Sequence, residues 1–204
     1  MAAVLAGRWK PAWGPRSFDP VRLGHQETDA WAAYYRHDWA TFLRSAVGMV
    51  RSGFGTDPVR TLTGAYHVLR ANQLWAPYPD NDPDGARAQM RKFYAMVSDH
   101  LGLTLDAVRA SALEVEWWRL HRAHQHDPEV SAESLVQALV DLYSYVYDVP
   151  PETVRDAAAF RVEAMDHSDA WVAAGCDLAD PLLTRERRAL VASHSALRRA
   201  VGRD

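Results

Sequence analysis

A carboxylate, an imidazole and an amide share one face of the most suggestive helical pattern in the sequence. The pattern runs from about residue 105 to residue 126, and steps of about 100° per residue place Glu114, His121 and Gln125 on one narrow stripe. Trp118 lies on the same stripe, and other apolar side chains flank it, so the stripe is expected to face the interior. An imidazole oriented by a carboxylate can act as a general base. We therefore predict Glu114 and His121 as candidate catalytic residues.

Four other helical patterns also place charged or polar side chains on or beside their apolar faces. Because charged groups are rarely buried without partners, these faces are expected to meet around one polar cluster inside a helical bundle. Arg70 and Arg161 would bind a carboxylate or phosphate there through paired hydrogen bonds. The remaining members of the cluster are Asp38, Gln73, Ser168, Asp169, Arg187 and His194.

Aromatic side chains would form the walls of this cluster, Tyr66 and Trp118 among them. Asp38 and Asp169 would lie beside the two arginines and take part in ligand binding. Pockets for small molecules combine apolar walls with a few converging polar groups. The pattern therefore predicts a pocket for an anionic small molecule, with acid–base catalysis by histidine and glutamate as a further hypothesis.

A purely structural interpretation of the same residues stays open. Buried ions are normally paired, so Glu114 could neutralise Arg161 and Asp38 could neutralise Arg70. In that case the cluster would stabilise the fold and bind nothing.

A metal site is a further alternative. Glu114 and His121, completed by Asp38, Asp169 and His194, could hold iron or manganese, as in a ferritin-like or haem-oxygenase-like oxidase. The paired Glu-x-x-His signature is absent, and two arginines would lie beside the metal ion. No residue is therefore assigned as a metal ligand.

The loop from Asp80 to Gly85 matches the opening half of a calcium-binding EF-hand loop. The match fails at its twelfth position, where Arg91 replaces the glutamate that would bind calcium through both oxygens. A capped turn, with Asp82 before Pro83 at the start of a helix, accounts for the same residues.

The stretches of sequence that carry these candidate residues show helical periodicity. Asp-Pro dipeptides precede several of the periodic stretches and predict helix starts, because Asp caps helices and Pro is favoured in the first turn. We predict an all-α, single-domain helical bundle of six to seven helices in residues 25–204, after an extended N-terminal arm in residues 1–24. The periodic stretches are about 27–52, 58–75, 83–101, 105–126, 132–149, 152–174 and 181–201.

The composition excludes several classes of protein. The formal net charge of −3 is too small to predict a nucleic-acid or membrane surface, and the single cysteine, Cys176, excludes an intramolecular disulfide. No apolar stretch reaches the length of a membrane span, and the run from Met1 to Gly7 is too short for a signal peptide. We expect a soluble cytoplasmic protein that binds neither nucleic acid nor membranes.

A non-enzymatic interaction protein is the main alternative function. The last helical pattern is basic, and Leu183, Leu190 and Leu197 recur at every seventh position, as in paired helices. The N-terminal arm carries Trp9 and Trp13. Either feature could bind a partner or form a homodimer.

Overall fold

The computed structural model describes residues 14–127 and 129–202, and the regular secondary structure of those ranges consists of helices, with no strand. The prediction of an all-α fold is confirmed, but the described residues form eight helices instead of six to seven. Their bounds are α1 Pro20–Tyr35, α2 Trp39–Phe54, α3 Pro58–Trp75, α4 Pro83–Leu101, α5 Ala107–His126, α6 Ala132–Tyr147, α7 Pro151–Ala173 and α8 Pro181–Val201.

The extra helix arises because the predicted helix over residues 27–52 is two helices. His37 adopts a left-handed conformation with φ of 56°, and Asp38 then caps α2 by accepting a hydrogen bond from the Thr41 amide at 3.1 Å. The apolar stripe continues across this break because α1 and α2 face the same interior. The placement of Asp38 at a buried face was therefore wrong, since it is an exposed cap.

The N-terminal boundary also differs from the prediction. The helix α1 starts at Pro20, capped by the Asp19 carboxylate, so the last five residues of the predicted arm are helical. Residues 1–13, which carry Trp9 and Trp13, lie outside the described residues.

Aspartate followed by proline starts helices in the way the sequence indicates. Asp19, Asp57, Asp82 and Asp180 each cap a helix with Pro in its first turn. Asp127 instead ends α5, and Ser131 caps α6.

The eight helices form a closed ring, named here the helical ring. Each helix packs against the next one in the chain, and α8 returns to pack against α1. Short connections make consecutive helices antiparallel. The closure needs a glycine, because a Cβ atom at Gly24 of α1 would lie 2.6 Å from Val191 Cγ2 and 2.9 Å from the Val191 amide nitrogen of α8.

A short segment before α1 closes one end of the helical ring, named here the lower end, where α6 and α8 finish. Phe18 is buried there, only 3% exposed. The Arg16 guanidinium donates to the carbonyl oxygens of Tyr147 and Val201, the latter at 3.1 Å. These are C-terminal carbonyls of α6 and α8 that have no partner within their own helices, so Arg16 caps both.

The leucine series of α8 is buried inside this fold. Leu183, Leu190 and Leu197 are buried, and α8 packs against α7 and α1. No helix in the described ranges has the length and apolarity that crossing a bilayer requires.

Candidate ligand-binding cavity

A cavity of about 240 Å³ occupies the centre of the helical ring. Every helix contributes to its wall, and Phe18 closes its lower end. The wall is mostly apolar and aromatic, and a few charged side chains line it on α1, α5, α7 and α8. One lining residue from each of α1 to α8, in order, is Leu23, Val50, Val68, Phe93, Trp117, Tyr143, Arg161 and His194.

A buried carboxylate organises the polar part of the wall. Glu27 of α1 is 1% exposed, and its two oxygens bind different partners. One oxygen forms an ion pair with Arg161 of α7, and the other lies 2.7 Å from His194 Nε2 of α8. Burial alone would raise the pKa of Glu27, but Arg161 and the hydrogen bond to His194 together outweigh it and hold that pKa below its usual value.

The Arg161 guanidinium lies among aromatic rings as well as beside Glu27. Its Nη1 donates to the Tyr143 hydroxyl at 3.2 Å, and its Cζ lies 5.5 Å from the ring centroid of Trp31 and 5.2 Å from that of Trp117. Cation–π contact and a counter-ion are how a buried guanidinium is stabilised. Its positive charge is therefore already compensated by the protein.

Glu114 of α5 lines the same cavity in a separate hydrogen-bonded group. Its carboxylate accepts from the Tyr94 hydroxyl at 2.6 Å and from the indole N–H groups of Trp117 and Trp118 at 3.1 and 3.2 Å. Burial raises the pKa of Glu114, although these donors and nearby Arg161 oppose the effect. A carboxyl group in such a setting can hold a proton nearer neutral pH than an exposed one.

A smaller space of about 70 Å³ adjoins the cavity where α1, α3 and α5 end. It is named here the mouth, because many of its lining side chains are partly exposed. The mouth and the cavity share five wall residues, so only side chains separate them. The shared residues are Trp31, Phe42, Asn72, Trp117 and Trp118.

His121 lies in the mouth, where a carboxylate other than the predicted one orients it. Its Nε2 is 3.1 Å from Asp169 Oδ2, and Gln125 donates to Asp169 Oδ1 at 2.6 Å and to the Tyr35 hydroxyl at 3.3 Å. Glu114 and His121 share a helix face, as the sequence predicts, but they line different spaces. The hypothesis that Glu114 orients His121 is therefore replaced by an Asp169–His121 pair.

The structure does not bring all the predicted binding residues to the cavity. Trp118 and Arg161 line it, and Asp169 lies beside the mouth through its bonds to His121 and Gln125. Arg70 instead donates to Gln73 Oε1 of its own helix at 2.5 Å, and Tyr66 is 53% exposed. The predicted Arg70–Arg161 clamp and the Asp38–Arg70 ion pair are thus absent from the described residues.

Arg70 and Tyr66 lie away from the cavity because α3 turns a different face inward from the one that its sequence pattern predicts. Small residues such as Gly64 and Ala65 are buried, and the apolar Val59 and Leu62 are 74% and 60% exposed. The sequence pattern predicted that the large apolar side chains of α3 face the core, whereas the structure buries its small residues.

Several residues of the cavity were not assigned from the sequence. Glu27 precedes Trp31 by one helical turn on a shared face, and this spacing was the available signal. Tyr94 and Tyr143 were not predicted to line the site, and only the tertiary structure shows that their hydroxyls contact Glu114 and Arg161.

The described residues contain no group of three or more histidine, cysteine, aspartate or glutamate side chains placed to hold a metal ion. Among the residues of the metal hypothesis, Glu114 is held by Tyr94 and two indoles, and His194 by Glu27. In the loop at Asp80–Gly85, the Asp82 carboxylate accepts from the Gly85 amide at 2.8 Å, which is the geometry of a helix cap.

Comparisons with known proteins find no relative: no family model matches the chain, and no curated protein or solved structure is significantly similar to it.

Proposed function

We propose that this protein binds a small, largely apolar molecule inside the helical ring, with one polar group of the ligand hydrogen-bonded to the polar wall. The observation that supports the proposal is the central cavity of about 240 Å³. Protein interiors are normally packed to the density of organic crystals, so a void of this size at the centre of a fold is unusual.

The size of the cavity sets the size of the ligand. An apolar cavity of about 150 Å³ is enough to bind benzene in a protein core. A void of about 240 Å³ with aromatic walls therefore suits a molecule of one or two rings, or an aliphatic chain of similar volume.

The charges in the wall favour an uncharged polar group at the inner end of the ligand. Glu27 compensates Arg161, so the ion pair as a whole carries no net charge that would attract an anion. Tyr143 accepts from Arg161 and keeps its own O–H proton to donate, and Tyr147 is a second phenol that lines the cavity. Burial raises the pKa of both phenols, which therefore remain protonated donors.

Acid–base catalysis is a second candidate, supported by the contact of 2.7 Å between Glu27 and His194. A carboxylate that orients one nitrogen of an imidazole leaves the other nitrogen to exchange a proton with a bound molecule. His194 lines the cavity, so its second nitrogen could act there. This pair takes the place of Glu114 and His121 as the candidate acid–base machinery.

The alternative of an interaction protein loses part of its support. The leucine series of α8 already packs inside the helical ring and cannot also form a dimer seam. Exposed arginines remain on the outer face of α8, and the tryptophan-bearing segment lies outside the described residues.

Calorimetric titration with naphthol, an uncharged two-ring alcohol, tests the proposal. Replacing Ala46, a cavity-lining residue that is 2% exposed, by phenylalanine should fill part of the void and abolish binding. The matched control is Ala112→Phe on the exposed face of α5, which should bind naphthol as the natural chain does. Circular dichroism would verify that both variants fold. Equal binding by the natural chain and Ala46→Phe would overturn the proposal, as would failure of the natural chain to bind naphthol.

A further inference from the structure

We propose that Arg122 in the mouth binds the carboxylate of an amphipathic ligand whose apolar body occupies the cavity. This inference rests on the proposed function and names the class of ligand, an aromatic or aliphatic carboxylic acid. It relocates the anion-binding role from Arg70 and Arg161, where the sequence pattern placed it, to a residue that the pattern did not single out.

Arg122 is a partly buried cation without a carboxylate partner among the described residues. Its Nη2 donates to the Tyr34 hydroxyl at 3.2 Å, and no aspartate or glutamate oxygen of the described ranges lies within 4.0 Å of its nitrogens. A guanidinium has five N–H donors in a rigid fork, so several remain available for a planar carboxylate.

Aromatic rings hold the Arg122 side chain in place. Its Cζ lies 5.8 Å from the Trp75 ring centroid and 5.1 Å from that of Tyr78. Cation–π contacts of this kind stabilise the positive charge and limit side-chain motion without using the N–H donors. A pre-positioned guanidinium loses less conformational entropy when an anion binds.

The acidic group beside the mouth is already occupied. Asp169 is held by His121 at 3.1 Å and by Gln125 at 2.6 Å, which orients its oxygens toward those two residues. Arg122 is not among its hydrogen-bond or ion-pair partners. The Arg122 charge is therefore not neutralised by direct contact with Asp169.

Other arginines show what a compensated guanidinium looks like in this protein. Arg119, also on α5, makes two hydrogen bonds to Glu116 at 2.9 and 2.7 Å on the exposed surface. Arg161 in the cavity is paired with Glu27. By contrast, Arg122 lies at the opening of an apolar cavity and still has N–H donors available for a ligand.

The position of Arg122 allows a single ligand to occupy both the mouth and the cavity. Arg122 lines the mouth together with Trp118, and Trp118 also lines the cavity. A ligand threaded past this shared wall would place its carboxylate at Arg122 and its apolar body among the aromatic side chains. One guanidinium suits a singly charged carboxylate, whereas a phosphate dianion usually gathers several cationic donors.

The test compares phenylhexanoate with its uncharged counterpart phenylhexanamide by calorimetric titration at pH 7. We expect the natural chain to bind the acid at least about tenfold more tightly than the amide, because a hydrogen bond to a charged group contributes more than a neutral one. Arg122→Gln should lose this preference and bind the two compounds with similar affinity, chiefly because binding of the acid is weakened. Arg119→Gln is the matched control, since it removes the same charge from the same helix outside the mouth, and it should keep the preference for the acid.

Arg122→Lys provides a second variant if loss of the charge impairs folding, and it should retain part of the preference. The inference is overturned if the natural chain binds the acid no more tightly than the amide, or if Arg122→Gln retains the preference. Binding of the amide and of naphthol without any preference for the acid would refute the carboxylate site alone. Absence of binding by all three compounds would refute the cavity proposal as well.

Discussion

His194 Nε2 lies 2.7 Å from one oxygen of Glu27, while the other oxygen of that carboxylate forms an ion pair with Arg161. One buried side chain of α1 thereby joins α7 and α8 at the cavity wall. The helices that carry these residues are also those at which the helical ring closes. The carboxylate thus links the closure of the fold to the polar wall of the candidate site.

Removing the negative charge of Glu27 should destabilise the protein strongly. In Glu27→Gln the buried Arg161 loses its counter-ion, and an uncompensated buried charge costs about 3 kcal/mol or more. Urea unfolding monitored by circular dichroism would measure the loss. Glu116→Gln, which breaks the exposed pair with Arg119, is the control and should cost less than about 1 kcal/mol. Comparable losses in the two variants would contradict this account.

A second buried carboxyl group should make stability depend on pH. Glu186 of α8 is 0% exposed, and neither of its carboxyl oxygens has a hydrogen-bond partner among the described residues. Burial raises its pKa to about 8, and the nearby Glu27 carboxylate adds to this effect. The group is therefore protonated in the folded protein at neutral pH.

The direction of the pH effect follows from this raised pKa. Below pH 4.5, the usual pKa of a glutamate, Glu186 is protonated in both the folded and the unfolded states. Its ionisation then costs the folded protein no stability. Between that pH and about 8 the unfolded state releases the proton first, so the free energy of unfolding should fall by several kcal/mol and then level off. Glu186→Gln should flatten this decline, whereas Glu129→Gln on the surface should not. Equal slopes for all three proteins in urea titrations from pH 5 to 8 would count against the buried acid.

The closure of the helical ring predicts opposite effects for two glycine substitutions. A methyl group at Gly24 would collide with Val191 side-chain and backbone atoms, so Gly24→Ala should destabilise the protein by about 1–3 kcal/mol. At Gly53 of α2 the nearest atoms, in Leu23, would lie 3.9 Å from an added methyl group, and Gly53→Ala should stabilise by about 0.5–1 kcal/mol. Thermal unfolding of both variants would measure the difference, and destabilisation of equal size in both would disprove the specific role of Gly24.

Local signals were enough to predict most of the helices. Asp57 and Asp82 cap helices that start with proline, and Gly102 ends α4 in a left-handed conformation, all interactions within a few residues of the chain. The break at His37 and Asp38 was missed, although aspartate is a common cap, because the apolar stripes of α1 and α2 continue across it. A continuous stripe cannot distinguish one long helix from two that face the same core.

Sequence patterns alone were sufficient to predict an all-helical fold, the ends of most helices, and the shared helix face of Glu114 and His121. These features depend on capping and on a periodicity of 3.6 residues, both of which act over short distances along the chain. The packing of the helices, by contrast, is what brings Asp169, 48 residues away, to His121 and what places Glu27 beside Arg161. Partners on different helices depend on how each helix is rotated in the ring, and this rotation follows from packing side chains that are distant in sequence.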